Sequence, residues 1–325
     1  MGIATPLYTL SSTFYILHMT HLIIGACLMD IKGKPNAGLE PETSNPATIK
    51  TTLGGTARNV AENLARLGSE VKLISAVGDD MAGRQILEKT SAAGVDIQHV
   101  QVVEGGNTGS YIAVLDNGGG LSVALDDTEV MAAITPDWIY KNRALIRDAR
   151  AVVVDGGVTE ATLESVVREA NTVGVPVAAD PSSTRLATRL CPILDKLSLV
   201  VPNELEAAAI CGREYVGYDP DASLSLAREL VRRGVDTAVV TLSDFGLVYA
   251  TSDESGYFPA HATNIVDSTG TGDAITSAIL FGMGEGLEIL ECMKLGVAAA
   301  GMTLQTADSV YQDISLDELY DHVIG

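Results

Sequence analysis

Toward its C-terminal end the chain reads Asn264-Ile265-Val266-Asp267-Ser268-Thr269-Gly270-Thr271-Gly272-Asp273-Ala274, and an apolar, helix-like run follows to Met283. Small residues with two glycines ahead of a helix let successive amide N–H groups converge on one point, where the helix dipole adds positive potential. Such a hole binds an anion without a lysine. Gly270, Thr271 and Gly272 would supply its amides, with Asp273 at the rim and within reach of an acceptor hydroxyl. A carboxylate there can take the proton as the hydroxyl oxygen attacks a phosphoryl group. The same residues also suit a plainer use, since Asp267 and Asp273 are good turn and N-cap residues.

Other strings upstream carry compatible chemistry. Leu53-Gly54-Gly55-Thr56-Ala57-Arg58-Asn59-Val60-Ala61 runs into Leu64-Ala65-Arg66-Leu67-Gly68 and then Ala76-Val77-Gly78-Asp79-Asp80. Gly54 and Gly55 allow the backbone to approach a ligand closely. Asn59, one turn into the following helix, can both donate to and accept from a sugar hydroxyl. Gly25-Ala26-Cys27-Leu28-Met29-Asp30 follows the first apolar run and ends on a carboxylate, and Pro202-Asn203-Glu204-Leu205-Glu206 and Thr241-Leu242-Ser243-Asp244-Phe245-Gly246 come later.

Taken in order, these strings resemble the signatures of the PfkB (ribokinase-like) carbohydrate kinases, from residue 22 to about residue 301. D-S-T-G-T-G-D-A is similar to that family's D-T-x-G-A-G-D, with Ser268 and Thr271 where Thr and Ala are usual. Thr241 to Gly246 resembles T-x-G-x-x-G, with Ser243 in place of the first glycine. The resemblance implies an ATP-dependent kinase with Asp273 as catalytic base and Gly270, Thr271 and Gly272 as the anion hole. It further implies that Asp30, Gly54, Gly55 and Asn59 hold the sugar, and that Asn203, Thr241 and Gly246 join Gly270 and Gly272 in contacting the nucleotide. Glu206 would act on Mg²⁺ through water, and Asp267 and Thr269 would lie near a monovalent cation, K⁺ in most relatives.

Within the family the chain looks most like the pseudouridine kinases, in Ser44-Asn45-Pro46, Ala57-Arg58-Asn59, Asn107-Thr108 with Ser110-Tyr111, and Leu115-Asp116-Asn117. That adds Thr108 and Asp126 to the substrate-binding set. Asp126 stands where those enzymes carry Asn, so ribose, a fructose-like sugar or another nucleoside stays open as acceptor. A P-loop kinase would need G-x-x-x-x-G-K-[ST], and a Rossmann reductase would need G-x-G-x-x-G after the first strand. The chain has neither. A non-catalytic sugar-binding protein on the same fold is opposed by the presence of both Asp273 and the Asn203/Glu206 pair.

The elements that must position these residues follow from the apolar pattern. Residues 22–25, 71–77, 152–154, 175–179, 197–201 and 238–242 are short Val- and Ile-rich runs without alternation, as strands covered on both faces require. Helix-like stretches at 57–67, 83–93, 160–172, 205–211 and 222–233 alternate with them. This predicts an α/β fold with a mostly parallel central sheet and helices on both faces. Residues 31–53 are turn-rich, and residues 100–128 alternate around Asn117-Gly118-Gly119-Gly120 like a hairpin. Both read as segments of a small β-sheet lid, which is also the expected surface of a homodimer. Residues 19–325 then form the kinase domain.

Composition narrows the partners. Among 325 residues, 42 are acidic and 21 basic, a formal charge of −21 that disfavours nucleic-acid polymers and anionic membranes and leaves small molecules. Any bound nucleotide must be held by local dipoles, amides and metal. The four cysteines, Cys27, Cys191, Cys211 and Cys292, form no C-x-x-C pair, a pattern of reduced thiols in the cytoplasm. Residues 1–18 contain no Lys or Arg, so they read as an unstructured extension ahead of a natural start at Met19 rather than as a secretory leader.

Overall fold

Strands whose successive residues are all apolar need a cover on each face, and the computed structural model, which describes residues 20–118 and 120–324, supplies two. The strands are β1 (Thr20–Ile24), β2 (Leu28–Pro35), β3 (Ala47–Gly54), β4 (Val71–Gly78), β5 (Asp96–Val103), β6 (Ser110–Leu115) and β7 (Leu121–Asp127). Then come β8 (Ala149–Asp155), β9 (Val177–Asp180), β10 (Leu199–Val200), β11 (Thr237–Thr241), β12 (Gly246–Ala250) and β13 (Ser255–Pro259). The large sheet runs β13-β12-β11-β10-β9-β8-β1-β4-β5. It is parallel from β5 to β11, and β12 and β13 extend it antiparallel. In β1, Leu22 and Ile24 enter the core on one face and Ile23 enters the core on the other, all fully buried. Truncating one such side chain to Ala costs about 2–5 kcal/mol. Among the described residues, no helix is long and apolar enough to cross a membrane. The expected extension at 1–18 and the start at Met19 lie outside the described residues.

The crossover helices begin where the sequence offers caps. Asp80 accepts from the Gly83 amide at 2.7 Å to start the Met81–Ala92 helix, and Thr159 accepts from Thr162 to start the Glu160–Val173 helix. Gly174 and Gly212 end their helices in the left-handed region, as C-terminal glycines do.

The second sheet is four-stranded, in the order β3-β2-β6-β7. Its boundaries differ from the sequence expectation in two ways. The first lid segment already pairs from Leu28 to Gly54, so turn residues fill only the stretch between β2 and β3. Residues 96–103, by contrast, are β5, the edge strand of the large sheet paired to β4. An edge strand is covered less completely than a central one, so it alternates like a lid hairpin. The hairpin turn is closed by Asp116, whose carboxylate accepts from the Gly120 amide at 2.8 Å. Ile49, Leu121, Val123 and Leu125 are exposed on this small sheet.

Candidate active site

Ligands of open α/β sheets bind beyond the C-terminal ends of the strands, and here those ends converge. Asp155 closes β8, Asp180 closes β9 and Thr241 closes β11, while Gly25 to Cys27 follow β1. The buried Asp155 carboxylate accepts from the amides of Ala26 at 2.7 Å, Gly157 at 2.8 Å and Ala57 at 3.0 Å. It thereby ties three separate segments into one floor.

The Thr271–Gly284 helix points its N-terminus at this floor. Gly270 stands ahead of it with φ 80°, and a Cβ added there would lie 1.9 Å from the Ser309 carbonyl oxygen, so only glycine fits. The Gly272 and Asp273 amides stand in the first turn, where the helix offers them no acceptor.

Asp273 accepts from Asn59 Nδ2 at 2.7 Å. Burial, and then the charges of Asp180, Asp30 and Asp155, hold its carboxyl well above the usual carboxylate range, against the Asn59 hydrogen bond. Asn59 is itself oriented: its Oδ1 accepts from Arg58 Nη1 at 2.9 Å, Arg58 pairs with Glu62, and Glu62 pairs with Arg66. The Thr56–Arg66 helix thus carries a charged relay along one face that fixes which end of the Asn59 amide meets Asp273. Arg58, part of the Ala57-Arg58-Asn59 string that resembles the pseudouridine kinases, thus acts in the structure by holding Asn59 and pairing with Glu62.

On the sugar side, Gly55 has φ 93° and a Cβ there would meet the Ala26 carbonyl at 2.3 Å. A Cβ on Gly54 would meet the Asp30 carboxylate at 2.2 Å, so each glycine makes room for the next group. Burial pushes Asp30 up to about 6. Asp126 lies opposite Tyr111 across the β6–β7 pair. A cavity of about 230 Å³ joins these groups, lined by Asp30, Gly55, Asn59, Tyr111, Asp126, Thr269 and Asp273. Ser182 lines it too, with φ 65° and a buried hydroxyl that has no partner among the described residues, the kind of strained residue that collects at working sites. A larger cavity of about 570 Å³ beyond Arg58 and Glu62 contains none of the transfer groups.

Thr108 is not brought to this cavity. Its hydroxyl donates to Asp80 at 2.6 Å and accepts from the Gly78 amide at 3.0 Å, while its own amide donates to Asp80 at 2.8 Å. It joins the end of β4 to the segment before β6.

On the other side of Asp273, Asn203 and Thr241 pair across an isolated parallel bridge. Gly246, at φ 109°, passes so close to the Phe258 carbonyl that a Cβ would lie at 2.0 Å. Ser243, in place of the usual glycine, keeps a left-handed φ of 51°. Asn203 and Glu206 form a reciprocal capping box at 2.8 and 2.9 Å, a structural use of that motif that spacing alone did not separate from a metal-binding one. Burial and then Asp180 push Glu206 up to about 8. Asp180 is itself raised to about 6 by burial, with Thr276 donating to it at 3.1 Å. Two buried, mutually repelling carboxylates suit a divalent cation, whose charge would relieve both. Among the described residues, no three Asp, Glu, His or Cys side chains gather as direct ligands, so water would complete such a shell.

These shifts carry a sign that can be tested without substrate. The folded state binds the Glu206 proton at about 8, against a reference value of 4.5. That contribution to stability is complete below the unfolded value and is lost as pH rises through the folded one. Buried His21, held down at about 4, weighs against folding only below its reference value of 6.5. The ligand-free protein should therefore melt higher at about pH 7 than at about pH 8.5. Equal or reversed melting temperatures would remove Glu206 as a buried acid.

The family model described as "pfkB family carbohydrate kinase" matches residues 20–313. A pseudouridine kinase of Escherichia coli (strain K12) is 31% identical over 296 residues, covering 91% of this chain and 93% of that one. A guanosine-inosine kinase of Exiguobacterium acetylicum is 28% identical over 299 residues, covering 91% and 98%. Among solved structures, a ribokinase of Arabidopsis thaliana complexed with ribose and ATP superposes with a TM-score of 0.79 at 22% identity, covering 94% of this chain and 98% of that one.

Proposed function

The chain belongs to the pfkB family of carbohydrate kinases, and from that premise we propose that it transfers the γ-phosphoryl group of ATP to the 5′-hydroxyl of pseudouridine. The observation that carries this reading is the 230 Å³ cavity, which sets sugar-binding groups, a base-facing Tyr111/Asp126 pair and the buried Asp273 around one space. The similarity to a pseudouridine kinase supports the choice of acceptor.

In the proposed reaction Asp30 and Asn59 hold the ribose hydroxyls, and Gly55 lets the ring lie against the backbone. Asp273 accepts the 5′-hydroxyl proton as that oxygen bonds to the γ-phosphorus and the bond to the departing ADP oxygen breaks. The Gly270, Thr271, Gly272 and Asp273 amides face the charge that builds on the transferred group. Thr241, Gly246 and Asn203 border the nucleotide. Mg²⁺ held through water near Asp180 and Glu206 would lower the charge of the ATP phosphates. The small sheet covers the sugar and excludes water that would hydrolyse ATP. We place the reaction in the cytoplasm, in keeping with the free cysteines.

Pseudouridine differs from uridine in an additional ring N–H, because its base is joined through carbon. Asp126 accepts hydrogen bonds only, so it suits that N–H, and uridine would leave the acceptor unpaired. Side-by-side kinetics should give pseudouridine a higher kcat/KM than uridine, guanosine, inosine, ribose or fructose. The preference over uridine should shrink in Asp126→Leu, which removes the acceptor, whereas Asp126→Asn keeps an acceptor oxygen and should retain it. A higher kcat/KM for any of the other acceptors would sink the pseudouridine assignment.

The exposed Ile49, Leu121, Val123 and Leu125 suit a second copy of the chain, a self-complementary patch on the lid. Sedimentation should give a dimer that Leu125→Glu weakens. A wild type that stays monomeric at high concentration would refute this contact.

A further inference from the structure

The loop ahead of the anion hole already holds a cation. Lys32 Nζ lies 2.7 Å from both carboxylate oxygens of Asp267 and also donates to the Thr269 hydroxyl. The Thr269 amide closes the same arrangement by donating to Asp267 Oδ1 at 2.9 Å. Lys32 belongs to β2 of the small sheet, whereas Asp267 and Thr269 lie 235 and 237 residues further along. Both partners of the ion pair are largely shielded, with side-chain exposures of 16% and 21%, so the contact is less screened than a surface pair. The lysine's place is set by the sheet: β2 alternates, so Lys32 falls on the same face as Asp30, and that face meets the cavity.

The family resemblance implied a potassium ion at Asp267 and Thr269. The residues present do not fit one, because both carboxylate oxygens and the hydroxyl are engaged by the ammonium. A second positive charge would have to displace it. We infer that Lys32 serves as a built-in monovalent cation, which neutralises Asp267, orders the Ser268–Gly272 loop and makes the enzyme independent of potassium. Lys32 is a positioning residue: it acts through Asp267 and Thr269 on the backbone that leads into Gly270. Because it sits on the small sheet, the same contact couples that sheet to the anion hole.

The inference rests on the kinase reading for its catalytic arm, and a melting arm keeps the two separable. Wild-type turnover and melting temperature should be the same in potassium, sodium and choline chloride at matched ionic strength. Lys32→Met should lose about 10- to 100-fold in kcat/KM in choline chloride. Potassium or ammonium should restore much of that loss, with a potassium-specific rise in melting temperature. Adding Asp267→Asn to Lys32→Met should abolish both responses, because the carboxylate that would receive the ion is gone. Potassium-specific activation or stabilisation of the wild type would overturn the inference, and so would a folded Lys32→Met variant indifferent to potassium. The wild-type comparison decides even where Lys32→Met fails to fold. Absence of ADP formation with every acceptor in every salt would strike the kinase reading instead, leaving the melting arm to judge the cation site.

Discussion

Asp273→Asn should lower kcat by about 100- to 10,000-fold while the protein folds normally and still binds ATP. The substitution keeps shape and removes the group that takes the proton. The structure makes the outcome sharper than an active-site carboxylate alone would. Asp273 is crowded by Asp180, Asp30 and Asp155, and its raised proton affinity is what a base needs when its acceptor is a weakly acidic alcohol. Removing a charge from that cluster relieves repulsion, so the variant should melt no lower than the wild type at about pH 8. Asn59 can still donate to the carbonyl oxygen of the new amide, which preserves the local geometry. The deciding experiment pairs steady-state ADP formation with melting and nucleotide binding. A stable variant with near-normal kcat would remove Asp273 as the base, whereas a variant that loses ATP binding would show that the residue organises the anion hole instead.

What the sequence disclosed and what it concealed divide along chain separation. The anion hole is local, with its glycines, its helix and Asp273 lying within a few residues, so type and spacing suffice to read it. The same holds for Gly54, Gly55 and Asn59. Asp155 is not legible in the sequence because its partners are the Ala26, Ala57 and Gly157 amides, and the first two lie 129 and 98 residues away. An Asp at the end of a strand looks like any turn residue until the topology sets β8 beside β1. Lys32 is similar: one lysine in a turn-rich stretch signals nothing until the small sheet delivers it to Asp267. Thr108 shows the opposite case. It lies in a family-like string that implies a ligand contact, and in the structure its hydroxyl and amide are engaged by Asp80 and Gly78. The first lid segment reads as part of the small sheet, but turn residues dominate its composition and hide how far its two ends pair, from Leu28 opposite Gly54 to Pro35 opposite Ala47.

Gly270→Ala should destabilise the protein by about 2–4 kcal/mol and reduce kcat/KM by about 100-fold or more. Two costs add. A left-handed conformation at an Ala costs about 1 kcal/mol by itself. The new Cβ would also lie 1.9 Å from the Ser309 carbonyl oxygen, a backbone atom that cannot rotate away as a side-chain tip would. Either the loop carrying Ser309 or the first turn of the Thr271–Gly284 helix must then move, and the second of these is the anion hole. Because the donors must sit within tenths of an ångström of the developing charge, a small displacement removes much of their effect. Gly272→Ala provides the contrast. A Cβ there meets nothing within 4 Å, so the variant should keep its stability or gain slightly from helix propensity. Its cost should fall on nucleotide binding, because the methyl group stands beside the amides that face the phosphates. Denaturant unfolding and kinetics on the pair separate the two roles. A Gly270→Ala variant that unfolds and turns over like the wild type would show that the loop tolerates a side chain. A Gly272→Ala variant with unchanged ATP dependence would move the phosphates away from that amide.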